Sequence, residues 1–370
     1  AEEERFLRVK HWAGFPKESI KYCLSEGGIS LADVQVIAIN SDPRANYLRK
    51  MLHLLRYRVD FNLVIERLQV SKARKTLRQT LRETIPGETF QGEIRKINHH
   101  LAHLSSAFYV SPYKESAIVS VDGFGDFSSG CWGEGKLSNI DVQGSVYYPH
   151  SLGSFYQAIT QFIGFPNYGD EYKVMGLAPY GKYNPNLPQL FKNGRGQTSI
   201  FLPNYPAGAF IDIENNPIFQ RNHIPKEWHT DPSKLTEIEA DLAWQIQNDT
   251  QEEVAKLIEK SVELTGNKQI CIAGGYGLNC VTNYWLKKRF PDLEIYHEAI
   301  SHDGGTAIGA AYLGWLNYAE HNNLEVNTPQ QTSIYYGPKY TTSEYLDTIK
   351  NYTPLFNQYK ITPKQISNLI

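Results

Sequence analysis

One local pattern constrains the fold of this chain more than any other: short apolar segments lead through tight turns into helical segments. The apolar segment Gln269–Ala273 is followed by paired glycines and then by a helical pattern at 278–289. A second predicted strand, at 93–98, runs directly into an apolar helix at His99–Val110. In proteins where strands alternate with helices, ligands, often nucleotides, bind where the strands end. The sequence therefore predicts an α/β fold with ligand sites at strand ends.

Other segments extend this prediction. A strand at 117–121 ends at a glycine-rich turn, and 128–133 is expected to return beside it as a hairpin. The clearest helix lies at 235–265, where apolar residues recur at helical spacing as far as Gly266. The residues from about 183 to 232 are rich in proline, asparagine and aromatic side chains, which predicts an irregular insertion.

The composition excludes several classes of protein. A formal net charge of −2 argues against nucleic acid as an obligatory partner, because phosphate backbones require a concentrated basic surface. No apolar run is long enough to span a bilayer, so no membrane partner is expected. The four cysteines form no CxxC pair, which favours a reducing, cytoplasmic location, and Cys271 and Cys280 are expected in the core.

Two histidines stand four residues apart in the predicted helix at His99–Val110. At that spacing His99 and His103 lie on one face of the helix, so both imidazoles can reach one cation. Glutamate is absent from the second position, which distinguishes the pair from the HExxH pattern of zinc proteases. The pair predicts a metal site, with an incidental HxxxH as the alternative. His100, beside the pair, is expected to be exposed.

A carboxylate stands at the end of the predicted strand at 117–121. Asp122 is costly to desolvate there unless it binds a cation or several hydrogen-bond donors. Gly123 and Gly125 let the backbone approach a ligand closely, and backbone N–H groups of such a turn suit phosphate oxygens. The turn is thus a candidate phosphate site, and a plain Asp-Gly hairpin is the alternative.

The paired glycines after Gln269–Ala273 form a second candidate site. Gly274 and Gly275, between a strand and a helix, let the helix N-terminus face an anion. Asn279, near the start of that helix, is a candidate ligand for a ribose or phosphate. A purely structural tight turn is the alternative.

Two charged residues complete the candidate site. Asp303 precedes a helix predicted at 304–319 and is expected at its N-cap, a position that capping alone would explain. Lys173 stands among small and apolar residues, where it could neutralise a phosphate or polarise a carbonyl. A surface lysine is the alternative for Lys173.

Six motifs in order resemble those of the carbamoyltransferase family that includes nodulation-factor and aminoglycoside-antibiotic O-carbamoyltransferases. They are AEEERFLRVKHWAGFP at 1–16, HHLAHLSSAF at 99–108, VDGFGD at 121–126, EYKVMGLAPYG at 171–181, AGGYGLNC at 273–280 and DGGTAIGAA at 303–311. The resemblance spans residue 1 to about residue 312.

The resemblance implies an actin-like ATPase fold, in which two α/β lobes surround a nucleotide cleft. The first lobe is expected at 1–130, the second at 131–320 with the insertion at 183–232, and a connector at 321–370 towards a YrdC-like domain. The hairpin that begins the first lobe in the family is expected to precede Ala1. The chain is therefore expected to be a fragment of a longer enzyme.

The resemblance also implies the cofactors. His99, His103, Asp122 and Asp303 would together hold a metal ion, with iron expected, although this donor set also suits zinc or manganese. Gly274, Gly275 and Asn279 would hold ATP or carbamoyl-adenylate, and Gly123 and Gly125 its phosphates. Magnesium is an additional candidate cofactor. Tyr276 departs from the small aliphatic residue usual in the family, which would alter the adenosine pocket.

The implied activity is ATP-dependent O-carbamoyl transfer. The YrdC-like domain would make carbamoyl-adenylate from carbamoyl phosphate and ATP, and this domain would pass the carbamoyl group to a hydroxyl of a small molecule or glycan. The metal would act as a Lewis acid, with Lys173 sharing the developing charge. This chain alone is not expected to make carbamoyl-adenylate.

Other functions remain open at this stage. One is a non-catalytic nucleotide-binding module that regulates a partner, and retention of all four candidate ligands argues against it. Another is a sugar or acetate kinase of the same superfamily, which would not need the histidine pair. A metalloprotease is disfavoured, because no glutamate is placed beside the histidines as a base.

Overall fold

A computed structural model describes residues 1–56, 76–148, 150–165, 167–187, 235–326, 337 and 340–358. The strands in this part of the chain are β1 (Val36–Ile39), β2 (Glu93–Lys96), β3 (Glu115–Gly125), β4 (Ser128–Lys136), β5 (Asn139–Tyr147), β6 (Gln269–Ala273) and β7 (Glu294–His297). The helices are α1 (Glu3–Leu7), α2 (Lys17–Gly27), α3 (Tyr47–Arg56), α4 (Leu77–Thr84), α5 (His99–Val110), α6 (Leu152–Phe162), α7 (Glu171–Leu177), α8 (Glu237–Thr265), α9 (Cys280–Arg289), α10 (Asp303–His321) and α11 (Thr342–Gln358).

The main sheet has five strands in the order β5-β4-β3-β6-β7. β3 pairs antiparallel with β4, as the predicted hairpin requires, and parallel with β6 on its other side. β7 then pairs parallel with β6. The mixed α/β architecture expected from the sequence is confirmed, and it is consistent with the actin-like ATPase lobe that the resemblance implies.

Helices cover both faces of this sheet. On one face, Val119 of β3 belongs to an apolar cluster with residues of α6 and α8, such as Phe155 and Ile246. On the other face, Ile118 of β3 packs with residues of α5 and α10, such as Leu104. Neighbouring residues of β3 point to opposite faces, so a central strand buried on both sides reads as a continuous apolar run.

A second sheet consists of β1 and β2, which pair in parallel. Its small core includes Leu31, Leu81 and Phe90. The α10 helix lies against β1, where a Cβ built on Gly314 would be 3.2 Å from the Cβ of Ala38. This contact places the two-stranded sheet beside the helix that begins at Asp303.

The boundary predicted between residues 130 and 131 falls within β4. The five-stranded sheet therefore takes strands from both sides of that boundary. The division into two lobes stays a prediction. Most of the insertion predicted at 183–232 lies outside the described residues, as do 327–336, 338–339 and 359–370 of the connector predicted at 321–370.

Chain contacts separate two compact units. One comprises Glu2–Gln331 and holds every candidate site residue, and the other comprises Ala1 with Thr332–Ile370. α11 belongs to the second unit. Among the described residues, no helix has the length and apolar content that crossing a membrane requires.

Two expectations about local structure are wrong. The helix predicted from residue 278 begins at Cys280, because Gly275–Leu278 forms a separate 3-10 turn before it. Cys280 is exposed at the first position of α9, whereas Cys271 is buried in β6 as expected. A small apolar residue at a helix N-terminus need not face the core, because side chains of the first turn can project into solvent.

Candidate functional site

The four candidate metal ligands meet at one point. The Nε2 atoms of His99 and His103 are 3.1 Å apart. The Oδ2 atom of Asp122 lies 3.2 Å from the Nε2 atom of His99, and the Oδ1 atom of Asp303 lies 3.4 Å from the Nε2 atom of His103. One donor atom from each residue lies within 4.8 Å of the other three. The arrangement brings together side chains from two helices and one strand.

The donor spacing fits a metal ion. The remaining His–Asp separations, from His99 to Asp303 and from His103 to Asp122, are both 3.5 Å. Five of the six donor separations thus lie between 3.1 and 3.5 Å. The corners of a tetrahedron with edges of about 3.4 Å lie about 2.1 Å from its centre, close to typical Zn–N and Zn–O distances. Two imidazoles and two carboxylates are donors that bind iron, zinc or manganese. These four residues could therefore hold one divalent cation.

Burial of the four ligands is asymmetric. The side chains of His99 and His103 are 7% and 0% exposed, whereas that of Asp303 is 65% exposed. Asp122 is buried at the sheet. A catalytic metal site keeps one side accessible to water or substrate, whereas a structural site is closed. The exposed carboxylate marks the side from which a ligand can approach.

The N-terminus of α5 places the histidines. The Asn98 side chain caps the helix by accepting a hydrogen bond from the Leu101 N–H, at 3.1 Å. The Oδ2 atom of Asp126 accepts the His99 N–H at 2.9 Å and the Asp42 N–H at 2.8 Å. A carboxylate at a helix N-terminus is stabilised by the exposed N–H groups and by the helix dipole. Asp126 thus joins the segment after β1 to the ligand-bearing helix.

Sequence reasoning did not assign Asp126 a role, although it stands in the VDGFGD motif. Its φ of 52° is in the left-handed region, which few residues other than glycine and asparagine or aspartate adopt. An aspartate directly after a glycine-rich turn was the signal available in the sequence.

Gly125 leaves space for the imidazole of His99, one of the four candidate metal ligands. A Cβ atom built on Gly125 would lie 2.0 Å from Cδ2 of His99 and 2.1 Å from its Cγ. At Gly123 a Cβ would meet nothing closer than the Ser154 Oγ atom at 3.7 Å. The structure therefore gives Gly125 a packing function beside His99. The phosphate contacts assigned to Gly123 and Gly125 stay predictions.

Asp122 connects the metal ligands to the glycine-rich turn. Its Oδ2 atom faces the histidines, while its Oδ1 atom accepts the Gly275 N–H at 2.8 Å. Gly274 has a φ of 88°, and a Cβ there would be 2.2 Å from the Val121 carbonyl oxygen. Only glycine fits such a close approach of the turn to β3.

Asp303 is the first residue of α10 and not its N-cap, so that expectation is wrong. The N-cap is His302, whose Nδ1 atom accepts the Gly304 N–H at 3.1 Å. Because His302 performs the capping, the Asp303 carboxylate is available to face the histidines. A Cβ on Gly309 would lie 1.9 Å from the Ala102 carbonyl oxygen, so α5 and α10 pack with their backbones close together.

The side chain of Asn279 is buried, with 1% of the residue exposed. Its Oδ1 atom accepts the Thr282 N–H as the cap of α9, and its Nδ2 group donates to the Gln247 side chain. Tyr276 is also buried, and its hydroxyl donates to Thr250. The nucleotide contact assigned to Asn279 and the effect of Tyr276 on an adenosine pocket stay predictions.

Lys173 lies in α7 and forms an ion pair with Asp170, with Nζ and Oδ1 2.9 Å apart. Its ammonium also lies 5.3 Å from the centre of the Phe165 ring. Its catalytic role stays a prediction.

His100 is buried, not exposed as expected, because its Nδ1 atom lies 3.0 Å from the Ser120 hydroxyl of β3. Burial lowers the pKa of His100 to about 4, so this imidazole is neutral at physiological pH. It therefore adds no positive charge beside the metal ligands.

Hydrogen bonds among the candidate ligands shift the pKa values of His103 and Asp122. Burial by itself lowers the pKa of His103, but hydrogen bonds to Asp122 and Asp303 outweigh it and raise the pKa to about 9. Burial raises the pKa of Asp122, but hydrogen bonds from His103 and His99 outweigh it and keep that pKa well below its usual value. Two carboxylates facing two imidazoles thus favour a positive charge between them.

We expect the metal-free protein to lose stability as the pH rises from about 6.5 to about 9. The pKa of His103 is about 9 in the folded protein against an ordinary value of 6.5, so the folded state binds this proton more tightly. The stabilisation is complete below the unfolded pKa and is lost as the pH rises through the folded pKa. The free energy of unfolding, measured by urea titration with a chelator present, should show this decline.

A His103→Gln variant provides the control, because its stability should vary less over the same pH range. Asp122 contributes at acid pH. Because its pKa is lowered in the folded protein, its carboxylate stabilises the fold at pH values above 3.8, its usual pKa. This stabilisation is lost as the pH falls further. A parent protein whose stability increases between about pH 6.5 and pH 9 would contradict the assignment.

The chain matches the family described as "Carbamoyltransferase N-terminus" over residues 1–312. Among curated proteins, nodulation protein NolNO of Sinorhizobium fredii is 30% identical over 352 residues, which cover 91% of this chain and 46% of that protein. The protein sll1178 of Synechocystis is 33% identical over 356 residues, which cover 93% of this chain and 57% of that protein. This chain therefore spans about half the length of these two relatives.

Two solved structures are similar in part. HypF of T. kodakarensis aligns with a TM-score of 0.40 and 14% identity, covering 66% of this chain and 39% of that chain. The activator of 2-hydroxyisocaproyl-CoA dehydratase from Clostridium difficile aligns with a TM-score of 0.36 and 15% identity, covering 65% of this chain and 74% of that chain.

Proposed function

This chain belongs to the carbamoyltransferase family, and we propose that it is the transfer domain of an ATP-dependent O-carbamoyltransferase. In the proposed reaction the oxygen of a hydroxyl group on a small molecule or glycan forms a bond to the carbamoyl carbon of carbamoyl-adenylate, the bond from that carbon to the phosphate oxygen breaks, and AMP and the hydroxyl proton are released. The observation that carries the proposal is the convergence of four metal-ligating side chains beside a glycine-rich turn. A kinase of related fold would not require this histidine pair.

We infer that the four ligands hold a divalent metal, with iron as the proposed ion. When bound, the metal supplies Lewis acidity that polarises a carbamoyl or phosphate oxygen. The ligands His99, His103 and Asp122 are buried, which limits the positions that the metal can take, and the Gly275 N–H holds the other oxygen of Asp122. Asp303 completes the set on the exposed side, where substrate can approach.

The glycine-rich turn supports the proposed nucleotide site. Gly274 and Gly275 stand between β6 and the N-terminal end of α9, and a helix N-terminus favours anions. The backbone at Gly123 has open space beside its Cα atom, which suits close approach of a phosphate. Magnesium is proposed to accompany the nucleotide. Lys173 is proposed to share charge on the reacting group, for which it must leave Asp170.

A YrdC-like domain in a longer protein is proposed to supply carbamoyl-adenylate from carbamoyl phosphate and ATP. The segments shared with the two curated relatives are 57% and 46% of those proteins, which leaves room in them for further domains. We place the proposed reaction in the cytoplasm, because all four cysteines are free thiols and the donor chemistry requires ATP.

We expect this chain to contain close to one metal ion per molecule and a His99→Ala/His103→Ala double variant to lose most of it. Removing two of four donors leaves two carboxylates, which hold a transition metal weakly. Elemental analysis after extensive dialysis measures the content, and it identifies the ion as iron or another metal. A His321→Ala variant is the control, since His321 is an exposed histidine in the last turn of α10, away from the four ligands.

The transfer reaction itself is tested on a longer protein that carries this chain. With carbamoyl phosphate and ATP, that protein should carbamoylate a hydroxyl acceptor, and the double-histidine variant should still form carbamoyl-adenylate but fail to transfer it. A parent chain that is folded and binds ATP yet holds no metal after supplementation would overturn the proposed centre. Phosphorylation of an added sugar would favour a kinase instead.

A further inference from the structure

A buried cluster of polar side chains lies behind the glycine-rich turn, between α6, α8 and α9. Each of its residues is at most 7% exposed. Its members are Tyr156, Gln247, Thr250, Tyr276, Asn279 and Thr282. We call this set the amide cluster, because the side-chain amides of Gln247 and Asn279 lie at its centre. Polar groups buried to this degree are costly unless each is hydrogen-bonded.

One backbone hydrogen bond determines which atoms donate and which accept in the amide cluster. The Thr282 N–H donates to the side-chain amide of Asn279, so the atom that accepts must be its Oδ1 oxygen. The Asn279 NH₂ group then donates to the side-chain Oε1 atom of Gln247 at 3.0 Å. The same oxygen also accepts the Tyr156 hydroxyl at 2.9 Å. The backbone therefore fixes the orientation of both amides.

The remaining hydrogen bonds connect Gln247 through Thr282 and Tyr276 to Thr250. The Gln247 NH₂ group donates to the Thr282 hydroxyl oxygen at 3.0 Å and to the side-chain Oδ1 atom of Asn279 at 3.2 Å. The hydroxyls of Thr282 and Tyr276 lie 3.0 Å apart, and Tyr276 donates to Thr250 at 2.7 Å. The side-chain amide of Gln247 thus bonds to the side chains of both Asn279 and Thr282.

The amide cluster meets the candidate metal centre at two adjacent residues, Gly275 and Tyr276. Tyr276 directly follows Gly275, whose N–H donates to the Oδ1 atom of Asp122. Asn279 closes the same turn from its other end, because its own N–H donates to the Tyr276 carbonyl oxygen at 2.9 Å. Side chains of the amide cluster therefore hold the turn at both Tyr276 and Asn279.

We propose that Gln247 is a positioning residue that, through Asn279 and Thr282, holds the Gly275 N–H on the Asp122 carboxylate. This inference goes further than the proposed function and rests on it for its link to the metal. Gln247 lies on α8, and none of its hydrogen bonds involves a metal ligand. Its effect reaches Asp122 only through the turn. Partners that orient a metal ligand commonly change metal affinity by about 10- to 100-fold.

A general contribution to core stability is the competing explanation. Replacing Gln247 would then lower the free energy of unfolding and leave the turn and the metal affinity unchanged in the folded protein. A positioning role instead predicts a local change at Gly275 that other core substitutions of equal cost do not produce. The two explanations are therefore separated by a local measurement and a matched core variant.

The experiment compares Gln247→Met, Tyr276→Phe and Ile246→Val. Methionine has a volume similar to glutamine and cannot donate, and phenylalanine removes one hydroxyl from the amide cluster. Ile246 is a fully buried neighbour on α8, and its loss of one methyl group lowers stability without removing a side-chain hydrogen bond. Amide hydrogen exchange at Gly275 is measured by NMR in the metal-free protein, and metal affinity by competition with a chelator.

We expect exchange at Gly275 to be about tenfold faster and metal binding about tenfold weaker in Gln247→Met, with smaller changes in Tyr276→Phe and none in Ile246→Val. Unchanged Gly275 exchange in folded Gln247→Met and Tyr276→Phe would overturn the inference. Faster exchange with unchanged metal affinity would overturn its link to the centre. If the parent chain binds no metal, the proposed function fails, and exchange at Gly275 still decides whether Gln247 holds the turn.

Discussion

A Gly125→Ala variant is expected to lose metal affinity by on the order of 100-fold or more. The new methyl group would lie 2.0 Å from one ring carbon of His99 and 2.1 Å from the Cγ atom that attaches the ring. Because Cγ is close to the backbone, the ring cannot move aside by a small rotation. His99 must then leave its position 3.2 Å from Asp122, and the site loses one of its four donors. Metal titration against a competing chelator measures the loss.

Gly123→Ala is the matched control for this substitution. It adds the same methyl group two residues earlier on β3, where nothing is closer than 3.7 Å. The control variant should bind metal with the parent affinity. If Gly125→Ala also binds metal normally while remaining folded, His99 is not held where the structure places it, and the four-ligand centre must be revised.

A Gly309→Ala variant is expected to lose about 3 kcal/mol or more of unfolding free energy, at the upper end of the cost of overpacking a core. The added Cβ would be 1.9 Å from the Ala102 carbonyl oxygen and 2.7 Å from the Ser106 nitrogen, which are backbone atoms of α5. Backbone cannot rotate away as a side chain can, so α5 and α10 must separate. Urea denaturation monitored by circular dichroism measures the change.

The control for Gly309→Ala is Gly176→Ala in α7, where an added Cβ meets nothing within 4 Å. Alanine is preferred over glycine within helices by roughly 0.5–1 kcal/mol, so this control should be neutral or slightly stabilising. The separation of α5 from α10 should also weaken metal binding, since His103 and Asp303 lie on these two helices. Equal stability of the two variants would show that α5 and α10 are not in close backbone contact.

The sequence was sufficient to predict elements that carry their own local signals. The helix His99–Val110 has the predicted bounds, because Asn98 supplies a cap and apolar residues follow without a break. The strand Gln269–Ala273 is also confirmed, since an apolar run with glycines after it is typical of a buried parallel strand. The set of four ligands came from the family resemblance, and the structure confirms that they lie close together.

Elements without such signals were not predicted. In β5 (Asn139–Tyr147) most side chains are exposed or half-buried, so the strand follows from its pairing with β4 and not from an apolar pattern. His100 was expected to be exposed because it stands beside the His99/His103 pair, and its actual partner Ser120 is on another element. Asp126 and Asp42 are 84 residues apart, and no local pattern indicates that contact. Features that depend on long-range partners require the three-dimensional structure.

The carboxylate of Asp122 connects the proposed metal position with the proposed anion position at the glycine-rich turn. One of its oxygens faces the histidines, and the other accepts the N–H of the glycine-rich turn. A cation on the first oxygen withdraws charge from the second, and a shift of the turn changes the orientation of the carboxylate towards the cation. The coupling is reciprocal. If bound metal changes the affinity of the turn for an anion by some factor, the bound anion changes the affinity for metal by the same factor. If both proposed positions bind their ligands, a measured change in affinity at one therefore gives the change at the other.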